Sequence, residues 1–150
     1  WLEAAALLHD IGWSQSDSGH HKESMKLIQN ADFPFWADEE KQVIANIARY
    51  HRKAGPKSKH KHFVSLSVTY QQTVTKLAAL LRIADALDRS HRNAVEQVYC
   101  RVNDKDVALD LKCRLDLGLE LYALDKKKDL FRQTFQKDVL VVSIKNVWDM

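Results

Sequence analysis

The hydrophobic period of this chain changes once, near Asn93, and that change limits the architectures open to it. A spacing of three or four residues places apolar side chains on one stripe of a helix. A spacing of two places them on one face of a strand. Before Asn93 the spacing is helical. Ser24, Leu27, Ile28 and Ala31 predict a helix over 20–31, which Pro34 ends. Asp38 reads as the N-cap of the next helix, with Glu39 and Glu40 suited to its first turn and Val43, Ile44, Ile47 and Ala48 on its apolar side. A long helix over about 67–90 follows, with Leu77, Leu80, Leu81 and Ala84 turned to the core.

After Asn93 the period is two. Val98/Cys100/Val102, Val107/Leu109/Leu111, Leu115/Leu117/Leu119/Leu121 and Leu140/Val142/Ile144 predict four strands, with a short helix over about 127–136 before the last. The expected fold is therefore α+β: a mainly helical bundle over 1–91, then a small α+β unit over 92–150 with an antiparallel-type sheet. A hairpin turning at Asn103-Asp104-Lys105 would set Cys100 opposite position 109 rather than opposite Cys113. The two cysteines therefore read as buried free thiols in a reducing cytoplasm.

Composition adds two limits. Apolar residues make up 45% of the 150 residues, and no run approaches the roughly 18 needed to cross a membrane. The net charge of +3 is too mild to imply a nucleic-acid partner by itself. The chain opens at Trp1 inside a helical run, which suggests a longer parent protein with the first helix cut short. Whether it forms a homodimer is left open by the sequence.

Candidate chemistry begins at His9-Asp10. The doublet follows the apolar run Ala4-Ala5-Ala6-Leu7-Leu8 and precedes Gly12. Adjacent side chains on a helix point about 100° apart, so they can share an ion only where the helix ends, and Gly12 is a suitable terminator. Imidazole and carboxylate together suit a divalent ion such as Zn, Mn, Fe or Mg. Further candidates are His20, with His21 as the fallback, His51 one turn beyond Ile47, and Asp85 one turn beyond Leu81. A carboxylate on the core side of a helix needs a partner, and either a metal or the flanking Arg82 and Arg89 would serve. Each also has a plainer reading: a helix-end cap, a hydrogen-bonded core histidine, an ion pair. Residues 49–62 hold six Lys/Arg and three His with no acid, a loop in which His60 and His62 read as solvated.

Three segments resemble a known family. Leu8-His9-Asp10-Ile11-Gly12, Ser18-Gly19-His20-His21-Lys22-Glu23-Ser24 and Arg49-Tyr50-His51-Arg52-Lys53 are similar to the C-terminal domain of exopolyphosphatase/guanosine pentaphosphate phosphatase (Ppx/GppA) proteins. With Asp85 in Ile83-Ala84-Asp85-Ala86-Leu87-Asp88, they resemble the wider HD superfamily of metal-dependent phosphohydrolases. The resemblance implies a divalent-metal site at His9, Asp10, His20, His51 and Asp85, with Asp88 behind it. It departs from the pattern at one point, since the superfamily's opening His has no counterpart before His9. It also implies an upstream actin-like domain in the parent protein. Two functions follow as expectations. One is an HD-type phosphohydrolase domain acting on polyphosphate, pppGpp or another phosphorylated small molecule, with Arg52, Lys53, Arg82 and Arg89 as phosphate holders. The other is a non-catalytic domain whose basic loop guides a polyanion.

Overall fold

In the computed structural model, which describes residues 1–16 and 18–148, the chain falls into two compact units, Trp1–Arg82 and Ile83–Met150. The change from helix to strand comes later, at Val95. Asp17, in the polar stretch 13–19 whose Ser14, Ser16, Asp17 and Ser18 predict a loop, lies outside the described residues.

The first unit holds α1 (Leu2–Leu8), α2 (His20–Asn30), α3 (Asp38–Arg49), α4 (Lys61–Val64) and most of α5 (Val68–Leu87). α2 packs on α3, and α1 packs on α3 as well. Met25, Ile28, Val43, Ile44, Ile47 and Ala48 are buried, as their helical spacing requires. Asp38 is not the N-cap of α3. That position falls to Ala37, and Asp38 is the first helical residue, paired with Lys41 at 2.7 Å. Glu40 reaches back to accept the Ala37 N–H at 3.0 Å, so a carboxylate in the first turn does the capping. On α5 the buried stripe is Val74, Ala78, Leu81, Arg82 and Asp85. Leu80 and Ala84, expected toward the core, are exposed. The packing face follows the i, i+4, i+7 row through Val74, not the positions richest in leucine.

Between α1 and α2 the chain makes a single 3-10 turn, Ile11–Ser14, which packs on α2. Gly12 is buried there, and a Cβ at this position would come within 2.5 Å of Ser24 N and 2.8 Å of Ser24 Oγ. Its N–H donates to Ser24 Oγ at 2.9 Å, and the same hydroxyl donates to the His9 carbonyl at 2.6 Å. One buried serine thus ties the end of α1 and the following turn to α2.

The second unit carries β1 (Val95–Val102), β2 (Asp106–Cys113), α6 (Gly118–Lys127), α7 (Asp129–Phe135) and β3 (Asp138–Asn146). The sheet order is β1-β2-β3, and the β1–β2 hairpin sets Cys100 opposite Leu109, as the turn position predicts. Three expectations need correction. Among the described residues there are three strands, because Leu115/Leu117/Leu119/Leu121 leads into α6 instead of forming a fourth. Leu117 and Leu124, seven residues apart, are the buried pair there, while Leu119 is exposed. A short apolar run fits either period, and here the helical one wins. The sheet is mixed, since β3 runs parallel to β2. Two helices rather than one lie between them, and parallel neighbours need such a crossover. Finally, Cys113 is buried but Cys100 is exposed, on a strand with little cover on either face.

Glu120 of α6 is 1% exposed and accepts the Ser90 N–H at 2.9 Å. Burial alone would raise its pKa, but the hydrogen bonds at Ser90 outweigh it and hold the carboxyl below the usual range. Two outcomes are expected. Gly12→Ala should destabilise the first unit by about 1–3 kcal/mol, the scale of overpacking against groups that cannot give way. Glu120→Ala should cost about 1–3 kcal/mol by stranding the half-buried Ser90 N–H. Folding favours the ionised carboxylate, so the wild-type advantage over Glu120→Ala is fully present above the ordinary carboxylate pKa and is lost progressively as pH falls below it through the lowered folded value. Urea titrations at pH 7 and pH 4 measure both.

Candidate metal centre and the basic cleft beside it

The His9-Asp10 doublet sits where α1 gives way to the 3-10 turn, so its two side chains are not held 100° apart. His51 stands two residues past the end of α3 and is 1% exposed. The three side chains converge: His9, Asp10 and His51 each offer a ligand atom within 4.8 Å of the others. His9 Nε2 lies 3.4 Å from Asp10 Oδ2, and His51 Nε2 lies 3.5 Å from Asp10 Oδ1. His20, buried at the start of α2, brings Nε2 to 3.2 Å from the same Oδ1 and 3.4 Å from His51 Nε2.

The ring orientations are set by the backbone. His9 Nδ1 lies 2.6 Å from the Ala6 carbonyl, and His51 Nδ1 lies 2.5 Å from the Ala48 carbonyl. A carbonyl only accepts, so Nδ1 carries the proton in both rings and Nε2 carries the lone pair that faces Asp10. His20 is held differently. Trp13 stacks on its ring at 4.0 Å between centroids, and Arg52 Nη1 donates to its Nε2 at 3.1 Å. The same Nη1 lies 3.3 Å from His20 Nδ1, so the guanidinium sits against both ring nitrogens, and His20 stands with Arg52 beside the His9, Asp10, His51 group.

The remaining expected residues are placed as follows. His21 is buried, turns from the cluster into a neighbouring cleft, and has its pKa pushed down to about 4, first by burial and then by Arg52, His20, Arg49 and Lys22. Lys53 is exposed and lines the same cleft. Arg82 is buried and donates to the Lys53 carbonyl at 2.8 Å and the Tyr50 carbonyl at 3.4 Å, bonds that fix the chain leaving α3. In the second unit, Asp85 is buried and ion-paired with Lys127. There too Arg89 is exposed, and Asp88 faces His91 at 3.6 Å.

The cleft has a volume of about 370 Å³ and takes Lys22 from α2, Arg49 from the end of α3, and Lys53, Lys57 and Lys59 from the loop. Among the described residues no carboxylate lines it. His60 is not simply solvated: it stacks on Tyr50, with Tyr50 Oη 2.8 Å from His60 Nδ1. Burial and then the nearby Arg49, Lys59 and Lys57 lower the His60 pKa.

The sequence reading missed several of these partners. Ser24 was counted only as part of an apolar stripe, although a hydroxyl at a core position is itself a signal of a buried hydrogen bond. Trp13 and Lys127 gave no signal, since nothing local tells which distant ring or carboxylate each will meet. Residues 1–136 match the family model described as Ppx/GppA phosphatase, domain III. The motifs that the match spans are those that build the cluster and the cleft, and the chain belongs to the Ppx/GppA phosphatase family.

Proposed function

We propose that the first unit is an HD-type metal-dependent phosphohydrolase site, with His9, Asp10 and His51 holding a divalent ion such as Mg, Mn, Fe or Zn. The observation that carries this reading is the paired locking of His9 and His51. Both give Nδ1–H to a carbonyl three residues back and turn Nε2 to one carboxylate. Histidines that ligate metals are commonly fixed in this way. The spacing suits an ion as well. Ligand atoms about 2.1 Å from a tetrahedral ion stand about 3.4 Å apart, close to the 3.4 and 3.5 Å found between Asp10 and the two histidines. Among the three, the donor set of two imidazoles and a carboxylate fits Zn, Mn or Fe better than Mg, which prefers oxygen.

A divalent ion bound there would lower the pKa of a coordinated water and offset charge on phosphoryl oxygens. The chain's own residues supply the rest. Arg52, beside His20, has the planar donor fork that suits two phosphoryl oxygens. Asp10 turns Oδ1 toward His20 and His51 and Oδ2 toward His9, so its oxygens and the Nε2 lone pairs of His9 and His51 are electron-pair donors facing one another, an arrangement that a cation between them would stabilise. The family is hydrolytic, which agrees with this chemistry. The substrate class that the family suggests is a phosphoanhydride such as polyphosphate or pppGpp.

A second reading is a non-catalytic polyanion-binding domain of a larger phosphatase. The basic cleft, which no carboxylate lines among the described residues, favours it. Metal binding separates the two. Titration calorimetry with Mn²⁺ or Zn²⁺, together with metal analysis of the purified protein, should give about one ion or more per chain. Asp10→Asn and His51→Ala should each weaken the metal at least tenfold, since each removes a ligand. Wild-type protein that binds neither ion more tightly than these variants would leave the polyanion-binding reading. Ser24→Ala supplies a further check. It touches no metal ligand's side chain, yet it releases the His9 carbonyl and the Gly12 N–H. It should lower metal affinity by roughly 10-fold, the scale seen when a supporting hydrogen bond behind a ligand is lost.

A further inference from the structure

We infer that the open edge of β1 is a self-association surface, on which β1 of a second copy of this chain pairs antiparallel and joins the two sheets into one. The inference concerns the second unit alone and is independent of the metal reading.

The sheet order places β1 at an edge, and every residue of β1 after Val95 is exposed. Its backbone pattern follows from the hairpin. Asn103 N–H donates to the Asp106 carbonyl at 2.8 Å. Hydrogen-bonded and non-hydrogen-bonded pairs alternate along an antiparallel ladder. In this register Gln97, Tyr99 and Arg101 therefore bond to β2, and Val98, Cys100 and Val102 turn their N–H and C=O groups outward. The same residues carry the apolar side chains of the strand. Val98 is 42% exposed and Val102 is 72% exposed, on the sheet face where Leu109 and Leu111 of β2 are buried. Outward backbone groups beside uncovered apolar side chains are a template for a further strand.

Edge strands that stay single commonly carry a lysine, a proline or a bulge. β3, at the other edge, is defended in this way. Val142 is an extra residue that interrupts its pairing with β2, and Lys145 is exposed beyond it. On β1 the irregularity falls at Glu96, which leaves 97–102 regular. With one edge defended and the other open, a closed pair of chains about a two-fold axis is favoured over a filament that joins β1 to β3.

Self-complementarity identifies the occupant. A two-fold axis perpendicular to the sheet at Cys100 sets Val98 opposite Val102 of the second copy, and the reverse, as hydrogen-bonded pairs. It sets Tyr99 opposite Arg101 of the second copy as a pair without mutual hydrogen bonds, where side chains come closer. Tyr99 is exposed, and its ring already takes Lys112 Nζ at 5.8 Å from the centroid. Arg101 is exposed and held across the strands by Asp110 at 3.1 Å. An arginine over a tyrosine ring is an attractive pair, and the axis forms it on both sides. Over 98–102 no like charges face each other in this register. A contact along one strand lies at the low end of interface sizes, below roughly 1,200 Å², so the dimer is reversible and depends on concentration.

The test is sedimentation velocity of the purified protein over a concentration series in reducing buffer, with copper–phenanthroline cross-linking beside it. The sedimentation coefficient should rise with concentration from that of one chain toward that of two. Val98→Lys and Val102→Lys should each weaken the dimer at least tenfold, because each sets a lysine against a valine across the axis. Val102 is the more exposed of the two, so its replacement spares the fold, which a melting curve checks. Val142→Lys, at an exposed apolar position on β3, should leave the dimer within twofold. The pairing sets the two Cys100 Cα atoms about 5.5 Å apart, inside the roughly 4.4–6.8 Å that a disulfide spans. Oxidation should therefore link two chains, with peptide mapping finding Cys100 joined to Cys100, and Cys100→Ser should abolish the link. A protein that stays monomeric across the series, a dimer indifferent to both lysines, or one that does not cross-link through Cys100 would overturn the proposal.

Discussion

The Ser24 hydroxyl is the contact on which the first unit's chemistry rests. It accepts from Gly12 N–H and donates to the His9 carbonyl, and so joins the end of α1 to the side of α2. The contact is possible only because position 12 lacks a Cβ, which lets the turn close on the α2 backbone. A helix that simply continued past Leu8 would carry His9 and Asp10 to different faces. By breaking the helix there and fixing the break to α2, Gly12 and Ser24 turn two neighbouring side chains toward the same place. The cost of burying polar groups at this junction is met by pairing them with each other.

From that junction the other groups follow by short local rules. His9 and His51 each bond the carbonyl three residues before them, a bond that the helix end makes available because terminal carbonyls lack intrahelical partners. The same loose end of α3 supplies Arg49 and Tyr50 to the basic cleft, and Arg82 secures the carbonyls beyond it. Helix termini therefore do most of the positioning. The helix interiors, with Ile28, Val43, Ile44 and Ile47 buried, provide the rigid frame.

Much of the architecture was legible in the sequence because it depends on period. The helical first part, the β1–β2 hairpin and its register, and the α+β class all come from spacings of 3.6 or two. The failures came where period is ambiguous or silent. Residues 115–121 alternate and also suit the start of a helix, and a run that short does not decide. Alternation gives faces but not neighbours, so the parallel pairing of β2 with β3 could not be read. The site residues were legible as types in a pattern, but their partners were not. That Asp85 needs a partner followed from its place on α5, whereas the choice of Lys127, 42 residues on, is set by tertiary packing. The roles of His20 and His21, adjacent on one helix, were offered as alternatives, and the structure gives them different surroundings: the first beside Asp10, the second in the cleft.

The central claim is that His9, Asp10 and His51 form one metal centre. Anomalous diffraction from crystals grown with Mn²⁺ or Zn²⁺ tests it most directly, because it locates the ion without reference to activity. The account predicts an anomalous peak about 2.0–2.2 Å from His9 Nε2, His51 Nε2 and an Asp10 carboxylate oxygen, with both Nδ1–carbonyl bonds kept. Crystals whose ordered ions all bind elsewhere, with His9 and His51 still turned to Asp10, would contradict it.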